Sequence, residues 1–529
     1  MKLITTMRGF ALGASALIAS AGVLASDLVI LHTNDTHSMI DPDASGRGGV
    51  LQRKAIIDSV RKAEKNVILV DAGDVVQGSL YFKFFGGDVE YPLMNMMDYD
   101  IQILGNHEFD NGLKEMADHY RTLKADRLSA NYDFTGTPAE GIFKPYAIRE
   151  ADGRKIGFIG INIDPASIIA KSCYEGMDFL PVSETADRYA SMLKNEEGCD
   201  LVVAVTHIGA VKENYKDIDY DLARNSKDID IIIGGHSHTV IQPDNASEDY
   251  PSVVSNAAGR PVLVTQTGKY GRNLGYIKID LDNLQNDTPA DFDYELIAVT
   301  DRFAPSQLDS VMAGFITPYR EQIDVINAKV IGRSDEMMDN NARVGAYPNW
   351  ISDFAEDFGR NIADSLAASG ALQPRPIIGM MNVGGIRHPM PQGDVTLGEI
   401  LSTFPFANRM LLMELKGADL METLDIAAVK GGEGVSRSVA VVTDDDSHMR
   451  RVLVDGEEVD PDAIYYVSTI DYLAGGNDDL IPLGRGRVIW RDEPEVSERI
   501  LEYITRLTAL GLPIAGDPRP RFVKEVTVK

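Results

Sequence analysis

The chain has 529 residues, of which 44% are hydrophobic and 25% are charged. At about 100–200 residues per domain this length is too great for one hydrophobic core, so we expect two or three domains. Acidic residues number 80 against 51 basic ones, for a formal net charge of −29. Such a surface repels polyanions, and we expect no nucleic-acid polymer as a partner.

Residues 1–25 have the pattern of a cleavable secretory signal peptide. Lys2 and Arg8 precede an apolar stretch over 10–24, and the small residue Ala25 follows that stretch. The stretch is shorter than the ~20 residues that a membrane-spanning helix needs. We therefore expect cleavage after Ala25, a periplasmic or secreted mature protein, and no membrane contact after cleavage.

Short β-branched runs alternate with helical patterns as far as about residue 300. Amphipathic helices are predicted over 50–65 and 112–124. The runs predicted as buried strands are 28–32, 67–71, 101–104, 156–161, 201–206, 229–233 and 262–265. This alternation favours an α/β domain whose functional loops lie at the strand ends.

A longer helical pattern follows, and then a second α/β region. The helical pattern has polar faces and is predicted to link two domains. The predicted organisation is a signal peptide over 1–25, an α/β domain over 26–305, a helical linker over 306–329 and a second α/β domain over 330–529. The only two cysteines are Cys173 and Cys199, and the sequence leaves open whether they pair in an oxidising compartment.

Several strands of the first domain end in short polar blocks. These blocks lie at 34–37, 73–74, 105–110, 206–207 and 234–238, and they contain five of the nine histidines. A single histidine after a strand is usually a hydrogen-bonded structural residue. Five such blocks in succession, each at a strand end, indicate a functional site.

The residue types in these blocks suit divalent metal ions. On extended backbone, residues two apart point the same way, so Asp35 with His37, and His236 with His238, should each present two donors to one place. Asp74 follows a glycine, and its two oxygens could bridge two metals. Carboxylate, imidazole and amide donors together favour Zn²⁺ or Mn²⁺. The set is large enough for two ions ~3.5–4 Å apart.

The block at 105–110 contains a different kind of pair. Asn106 and His107 are adjacent, and because adjacent side chains diverge, one should face the metals and the other the substrate. Asp110 lies three residues after His107, where a helical turn places it on the same side. Its carboxylate would orient the imidazole and favour its protonated form. The remaining histidines are interpreted as structural: His32, His119, His388 and His448.

The order DxH, GD, GNHE, H and GHxH resembles the calcineurin-like metallophosphoesterases, and THIG, IIIGGHSH and GKYGR narrow the resemblance to the secreted bacterial 5′-nucleotidase family. In the second region, NVGGIR at 382–387, PFAN at 405–408 and YLAGGND at 472–478 resemble the family's substrate-binding motifs. The resemblance covers nearly all of the predicted mature chain. It implies an N-terminal metallophosphoesterase sandwich of sheets flanked by helices, joined by a helical linker to a smaller α/β substrate-binding domain.

The resemblance also implies site residues. His107 and Asp110 match the family's catalytic pair. One metal ion would be bound by Asp35, His37, Asp74 and His238, and the other by Asp74, Asn106, His207 and His236. The substrate-binding positions are Arg387 for the phosphate, Phe406 and Tyr472 for stacking on the base, and Asn408 for a polar contact with the base.

The chain departs from the family at three places. His238 stands where several nucleotidases have Gln or Asn, and Tyr472 replaces the usual Phe. The family's further phosphate-binding arginines are missing over 347–352, and the sequence leaves open whether Arg343 or Arg409 replaces them.

The expected function is metal-dependent hydrolysis of 5′-mononucleotides to nucleoside and phosphate in the periplasm. Two alternatives share this chemistry: a UDP-sugar hydrolase and a 2′,3′-cyclic-nucleotide 2′-phosphodiesterase. A third alternative is of another class. Two α/β domains with a cleft also describe a secreted solute-binding or adhesion protein, although such a protein has no need for an open two-metal site.

Overall fold

The computed structural model describes residues 27–43, 45–211, 218–282, 284 and 292–525. The predicted signal peptide over 1–25 lies outside these residues. Within the described ranges, no helix is long and apolar enough to cross a lipid bilayer.

The N-terminal region is built on two six-stranded sheets. Their strand orders are β14-β13-β1-β2-β3-β4 and β11-β12-β10-β9-β7-β6, and β5 pairs with β8 in a separate ribbon. The strands are Asp27–Thr33 (β1), Asn66–Asp71 (β2), Ile101–Ile103 (β3), Asp126–Leu128 (β4), Tyr132–Asp133 (β5), Tyr146–Ala151 (β6), Arg154–Asn162 (β7), Asp178–Phe179 (β8), Leu201–His207 (β9), Ile231–Ile233 (β10), Val253–Ser255 (β11), Pro261–Thr265 (β12), Asn273–Asp280 (β13) and Phe292–Ala298 (β14).

The two sheets pack face to face, with helices on their outer sides. Alternation along β1 is the reason: Leu28 and Ile30 pack with Val203 of β9 between the sheets, whereas Val29 packs with Ile57 on the helical side. The helices of this region are Val50–Ala63 (α1), Leu80–Phe85 (α2), Glu90–Met97 (α3), Leu113–Tyr120 (α4), Val182–Asn195 (α5) and Asp219–Asn225 (α6). The predicted sandwich of sheets flanked by helices is confirmed.

Each of the seven predicted strands corresponds to a strand of the structure: β1, β2, β3, β7, β9, β10 and β12. The predicted helices over 50–65 and 112–124 are α1 and the shorter α4. Among the described residues of this region, the other seven strands were not predicted: β4, β5, β6, β8, β11, β13 and β14. Strands β6 and β14 lie at sheet edges, where partial exposure weakens the apolar pattern.

Helix α7, Ser310–Asn327, lies within the predicted linker over 306–329. It is not a free spacer, because Met312, Ile316 and Ile323 belong to the N-terminal core. The same core includes Leu401 of the second region. The helix therefore packs on one region and contacts the other, while the boundaries at 305 and 330 stay a prediction.

The second region contains a five-stranded sheet of order β19-β16-β23-β18-β24 and a four-stranded sheet of order β22-β21-β20-β25. Its strands are Val330–Ser334 (β15), Ile377–Met381 (β16), Gly393–Thr396 (β17), Arg409–Lys416 (β18), Gly434–Val435 (β19), Val439–Thr443 (β20), Met449–Val454 (β21), Glu457–Glu458 (β22), Ile464–Ile470 (β23), Arg487–Glu495 (β24) and Phe522–Lys524 (β25). Its helices are Ala346–Ala368 (α8), Leu397–Thr403 (α9), Gly417–Val429 (α10), Asp471–Ala474 (α11) and Val496–Ala509 (α12).

Helix α8 fills the centre of this second region. Its buried residues Tyr347, Trp350, Ile351 and Phe354 follow the spacing i, i+3, i+4 and i+7, which forms one apolar stripe. The stripe packs with Ile378 and other residues of the sheet. The predicted smaller α/β domain is confirmed.

The two cysteines are free thiols. Cys199 is buried in the core beneath α5. Cys173 is half-buried, and its Sγ atom lies 3.9 Å from the carbonyl oxygen of Asp110. The pairing that the sequence left open is therefore not present in this structure.

The position of His32 in the core agrees with its interpretation as a structural residue. It lies on β1 opposite Gly275 of β13, and a Cβ atom at 275 would overlap its ring. The ring also faces Tyr294 at a centroid distance of 6.3 Å. Both ring nitrogens are buried without a hydrogen-bond partner, and burial lowers the pKa of His32 to about 3.

This burial predicts an acid-labile core. Between pH 6.5 and 3 the unfolded chain binds a proton at His32 that the folded chain does not, so stability falls as the pH falls, by about 1.4 kcal/mol per pH unit. His32→Leu should therefore lose less stability than the parent chain between pH 7.5 and 5. Urea titrations followed by circular dichroism measure this difference, with Val70→Ala as a control for a core change that cannot titrate. An equal loss in the parent chain and His32→Leu would contradict the prediction.

Candidate active site

The candidate metal ligands meet at one edge of the sandwich. Strands β1, β2 and β3 are parallel neighbours in one sheet, and β9 and β10 are parallel neighbours in the other. Their carboxyl ends therefore point to the same edge, where the five polar blocks converge. The structure brings together all seven candidate ligands in this place: Asp35, His37, Asp74, Asn106, His207, His236 and His238.

The backbone around these ligands differs from the sequence prediction. Asp35 and His37 have φ angles of 48° and 46°, and His236 and His238 have φ angles of 77° and 56°. The prediction that each pair lies on extended backbone is wrong, because β1 and β10 end before the blocks and the chain turns sharply there. The pairs converge through left-handed turns, a conformation that costs free energy for residues with a Cβ atom and often marks functional sites.

The first group of ligands surrounds Asp35. Its Oδ1 atom lies 3.5 Å from His238 Nε2 and 3.9 Å from His37 Nε2. The two Nε2 atoms lie 2.9 Å from each other. Burial lowers the pKa values of His37 and His238 well below the usual range. Two neutral imidazoles and a carboxylate therefore face one small volume.

The second group of ligands lies beside the Asp74 carboxylate. Its Oδ2 atom lies 3.2 Å from His207 Nε2. The Nδ1 atom of His207 donates to the carbonyl oxygen of Ala72 at 2.7 Å, which fixes the tautomer and turns Nε2 toward the site. His236 completes this group, and its Nδ1 atom lies 2.8 Å from Asn106 Oδ1.

Asp74 lies between the two groups. Its Oδ2 atom is 4.0 Å from His37 Nε2 of the first group as well as 3.2 Å from His207 of the second. Burial raises the pKa of Asp35 to about 7. The pKa of Asp74 stays well below its usual range despite burial, because His207 and His107 lie beside it.

The donor set fits divalent cations. His207 Nε2 is buried without a hydrogen bond of good geometry, and carboxylate oxygens face imidazole nitrogens across less than 4.8 Å in each group. Buried carboxylates without a compensating cation would cost considerable free energy. Carboxylate and imidazole donors suit borderline ions such as Zn²⁺ or Mn²⁺.

His107 and Asp110 form a hydrogen-bonded pair, as the spacing predicted. A short 3₁₀ turn over His107–Phe109 places His107 Nδ1 at 2.9 Å from Asp110 Oδ2. Burial opposes protonation, but the carboxylates of Asp110 and Asp74 raise the pKa of His107 above its usual value. Asn106 points the other way, toward His236, so the two neighbours diverge.

Two residues of the second domain contact the first domain beside His107 and Asp110. The ring of Phe406 stacks on the ring of His107 at a centroid distance of 5.9 Å. The guanidinium group of Arg387 lies 5.7 Å from the Phe406 centroid and donates to Gln77 Oε1 of the first domain at 3.1 Å. The site is therefore assembled from both domains.

The other predicted substrate residues lie close by. Asn408 lines a cleft of the second domain together with Phe406 and Asn382. Tyr472, on α11, donates from its hydroxyl to Asp478 at 2.9 Å. Asn382 donates to the same Asp478 carboxylate at 3.1 Å, so this contact links Tyr472 to a residue of the cleft. The roles of all four substrate positions stay predictions.

Arg343 and Arg409, the two arginines considered as replacements for the missing phosphate contacts, both lie in the second domain. Arg343 donates to the buried carboxylate of Glu433 at 3.0 Å and to the carbonyl oxygen of Gly432 at 3.1 Å. Arg409 is exposed at the start of β18. The guanidinium group of Arg343 is thus held within its own domain.

Sequence reasoning missed a cation beside the first group. Lys269 Nζ lies 4.9 Å from the ring centroid of Tyr270, and that ring lies 5.9 Å from the ring of His37. The charge of Lys269 adds to burial in lowering the pKa values of His37 and His238. Among the described residues, no carboxylate forms an ion pair with it. The GKYGR motif contains this lysine and could have indicated it.

Family models match both domains. The calcineurin-like phosphoesterase model matches residues 28–240, and the model of the 5′-nucleotidase C-terminal domain matches residues 330–483. The chain belongs to the 5′-nucleotidase family. It is a phosphoesterase of this family, which excludes the alternative of a solute-binding or adhesion protein.

Known proteins are similar to the chain over most of its length. The chain is 27% identical to the snake venom 5′-nucleotidase of Naja atra, over 78% of this chain and 80% of that protein. It is also 27% identical to the trifunctional nucleotide phosphoesterase protein YfkN of Bacillus subtilis, over 85% of this chain but only 32% of that longer protein. The crystal structure of a 5′-nucleotidase precursor from Thermus thermophilus has a TM-score of 0.78 at 26% identity, covering 95% and 100% of the two chains.

The position of Asp74 between the two groups predicts the effect of its removal. Asp74→Asn should lose at least one metal ion and most of the phosphatase activity, because an amide offers a single oxygen and no charge. Elemental analysis of the purified variant measures the metal content. Asp230→Asn is the matched control, since this carboxylate lies at the opposite end of β9 and β10. Full metal content in Asp74→Asn would contradict the shared-ligand assignment.

Proposed function

We propose that this chain hydrolyses the phosphate ester of 5′-mononucleotides to nucleoside and phosphate, with two divalent metal ions, outside the cytoplasm. The observation that carries the proposal is the stacking of Phe406 on His107 at the edge where the metal ligands converge. An aromatic ring of the nucleotidase domain lies there beside the predicted catalytic pair. An exported location rests on the pattern of residues 1–25, and one similar protein is a venom enzyme.

The proposed metal ligands follow from the two groups around Asp74. When bound, the ions supply positive charge to the phosphate and lower the pKa of water near it. One ion is assigned to Asp35, His37, Asp74 and His238, and the other to Asp74, Asn106, His207 and His236.

His107 is proposed to stabilise charge on the phosphoryl oxygens. Its Nδ1 atom is held by Asp110, which leaves Nε2 to donate to the substrate. The carboxylates of Asp110 and Asp74 raise the pKa of His107, which favours the protonated, cationic form of the ring. A fixed cationic donor at this place acts where negative charge is spread over the phosphoryl group.

The second domain is proposed to bind the rest of the nucleotide. Arg387 offers a planar fork that suits a phosphate, and its electrostatic influence already reaches His107. Phe406 and Tyr472 are assigned to stacking on the base, and Asn408 to a polar contact with its edge. Lys269 offers a further positive charge from the first domain.

Removal of the His107 imidazole should lower catalytic activity without loss of the bound metal ions. We expect His107→Ala to keep its metal ions and its fold but to lower kcat by roughly 10²–10⁴, the usual scale for a positioned acid–base or charge-stabilising group. Asp110→Asn should act in the same direction but less strongly. Steady-state kinetics and elemental analysis on the same samples measure both effects. Because His107 also lies near His37 and Asp74, loss of metal in His107→Ala would make it a ligand and contradict this role.

A substrate panel tests the nucleotide assignment. We expect AMP to have a higher kcat/KM than UDP-glucose, 2′,3′-cyclic AMP or bis-p-nitrophenyl phosphate. Replacing Phe406 and Tyr472 together with Ala should raise KM for AMP by tens-fold or more, since base stacking contributes ~1–3 kcal/mol per base in related sites. Hydrolysis of p-nitrophenyl phosphate should change little.

Two results would overturn the assignment. A preference of the parent chain for UDP-glucose or the cyclic nucleotide would favour one of the two alternatives with the same chemistry. An equal loss on AMP and p-nitrophenyl phosphate in the double variant, with a lower melting temperature, would show that both aromatic residues serve the core.

A further inference from the structure

Glu108 follows His107 directly and has no place in the proposed chemistry. Its side chain is only 3% exposed, and its carboxylate accepts hydrogen bonds from three backbone N–H groups. The Oε2 atom accepts from Gly105 at 2.5 Å and from Asp74 at 3.1 Å. The Oε1 atom accepts from Val75 at 2.8 Å.

These three donors belong to the two loops that carry the central ligands. Asp74 and Val75 follow β2, whereas Gly105 follows β3 and precedes Asn106. The carboxylate of Glu108 therefore joins the loop of the shared ligand to the loop of Asn106 and His107. The backbone N–H of His107 also donates to Asp74 Oδ1 at 2.9 Å. Each of the two loops therefore donates hydrogen bonds to a carboxylate of the other loop.

The loops are also in direct contact. A Cβ atom at Gly73 would lie 2.5 Å from the backbone nitrogen of Gly105, and a Cβ atom at Gly105 would overlap the Asp74 carboxylate. Asp74 itself has a φ angle of 55°, a conformation that costs free energy for a residue with a Cβ atom and persists where the surrounding structure holds it. The N–H groups in such a turn cannot pair within a sheet, and Glu108 supplies their acceptor.

We propose that Glu108 is a positioning residue that sets metal affinity by holding Asp74 in its left-handed turn against the Asn106–His107 loop. It acts through Asp74 and contacts neither metal nor substrate. The inference rests on the proposed function, since it concerns the same metal site. A glutamine at 108 would place an amide N–H against a backbone N–H, and an aspartate would be too short to reach both loops.

Three variants test this inference. Glu108→Gln removes the charge and replaces one of the two acceptor oxygens with an N–H donor. Glu108→Asp keeps the charge but shortens the side chain, and Glu356→Gln is the matched control. Glu356 is 2% exposed and accepts from the Ser438 hydroxyl at 2.7 Å in the second domain. Competition with a chelating indicator measures the Kd for Mn²⁺, and p-nitrophenyl phosphate hydrolysis is followed against Mn²⁺ concentration. Melting temperatures of the metal-free proteins report stability.

We expect both Glu108 variants to bind Mn²⁺ at least tenfold more weakly, with part of the lost activity recovered at high Mn²⁺ concentration. Glu356→Gln should lower the melting temperature without changing the Kd for Mn²⁺. The inference is overturned if Glu108→Gln binds Mn²⁺ like the parent chain, if the control shows the same loss of affinity, or if Glu108→Asp keeps the parent affinity, which would assign the effect to charge rather than position. A parent chain without bound Mn²⁺ or metal-dependent hydrolysis would instead overturn the proposed function.

Discussion

The structure depends on buried carboxylates and imidazoles that face one another at one edge of a sandwich. Asp35 and Asp74 are almost fully buried, and within the described residues their oxygens face imidazole nitrogens rather than a lysine or arginine side chain. Such a cluster is electrostatically unfavourable without metal ions. Left-handed turns in the loops that carry Asp35, Asp74 and His236 maintain it, and these turns require the rigid support of the two sheets beneath them.

The composition of this carboxylate and imidazole cluster also explains the need for a second domain. The metal groups can act on a phosphate, but nothing in them recognises the organic part of a substrate. Phe406 and Arg387 come from the second domain and reach His107 and Gln77 of the first. Under the proposed function, chemistry and recognition are carried by separate domains, and the two domains meet over one substrate.

Much of the candidate site could be predicted, because the sequence patterns that indicate it are local. The polar blocks follow apolar strands directly, and the 107–110 spacing defines a turn. Other features could not be predicted, since they arise from contacts between distant segments: the acceptor role of Glu108 depends on the loop after β2, and Lys269 approaches His37 through Tyr270. The left-handed turns at Asp35 and His236 were not predicted either, because only a small fraction of aspartates and histidines adopts this conformation.

Anomalous scattering from crystals of the Mn²⁺-loaded chain tests the central claim most directly. The account predicts two peaks about 3.5–4 Å apart, one on each side of Asp74. A single peak, or peaks away from Asp74, would contradict a two-metal site built on that shared carboxylate.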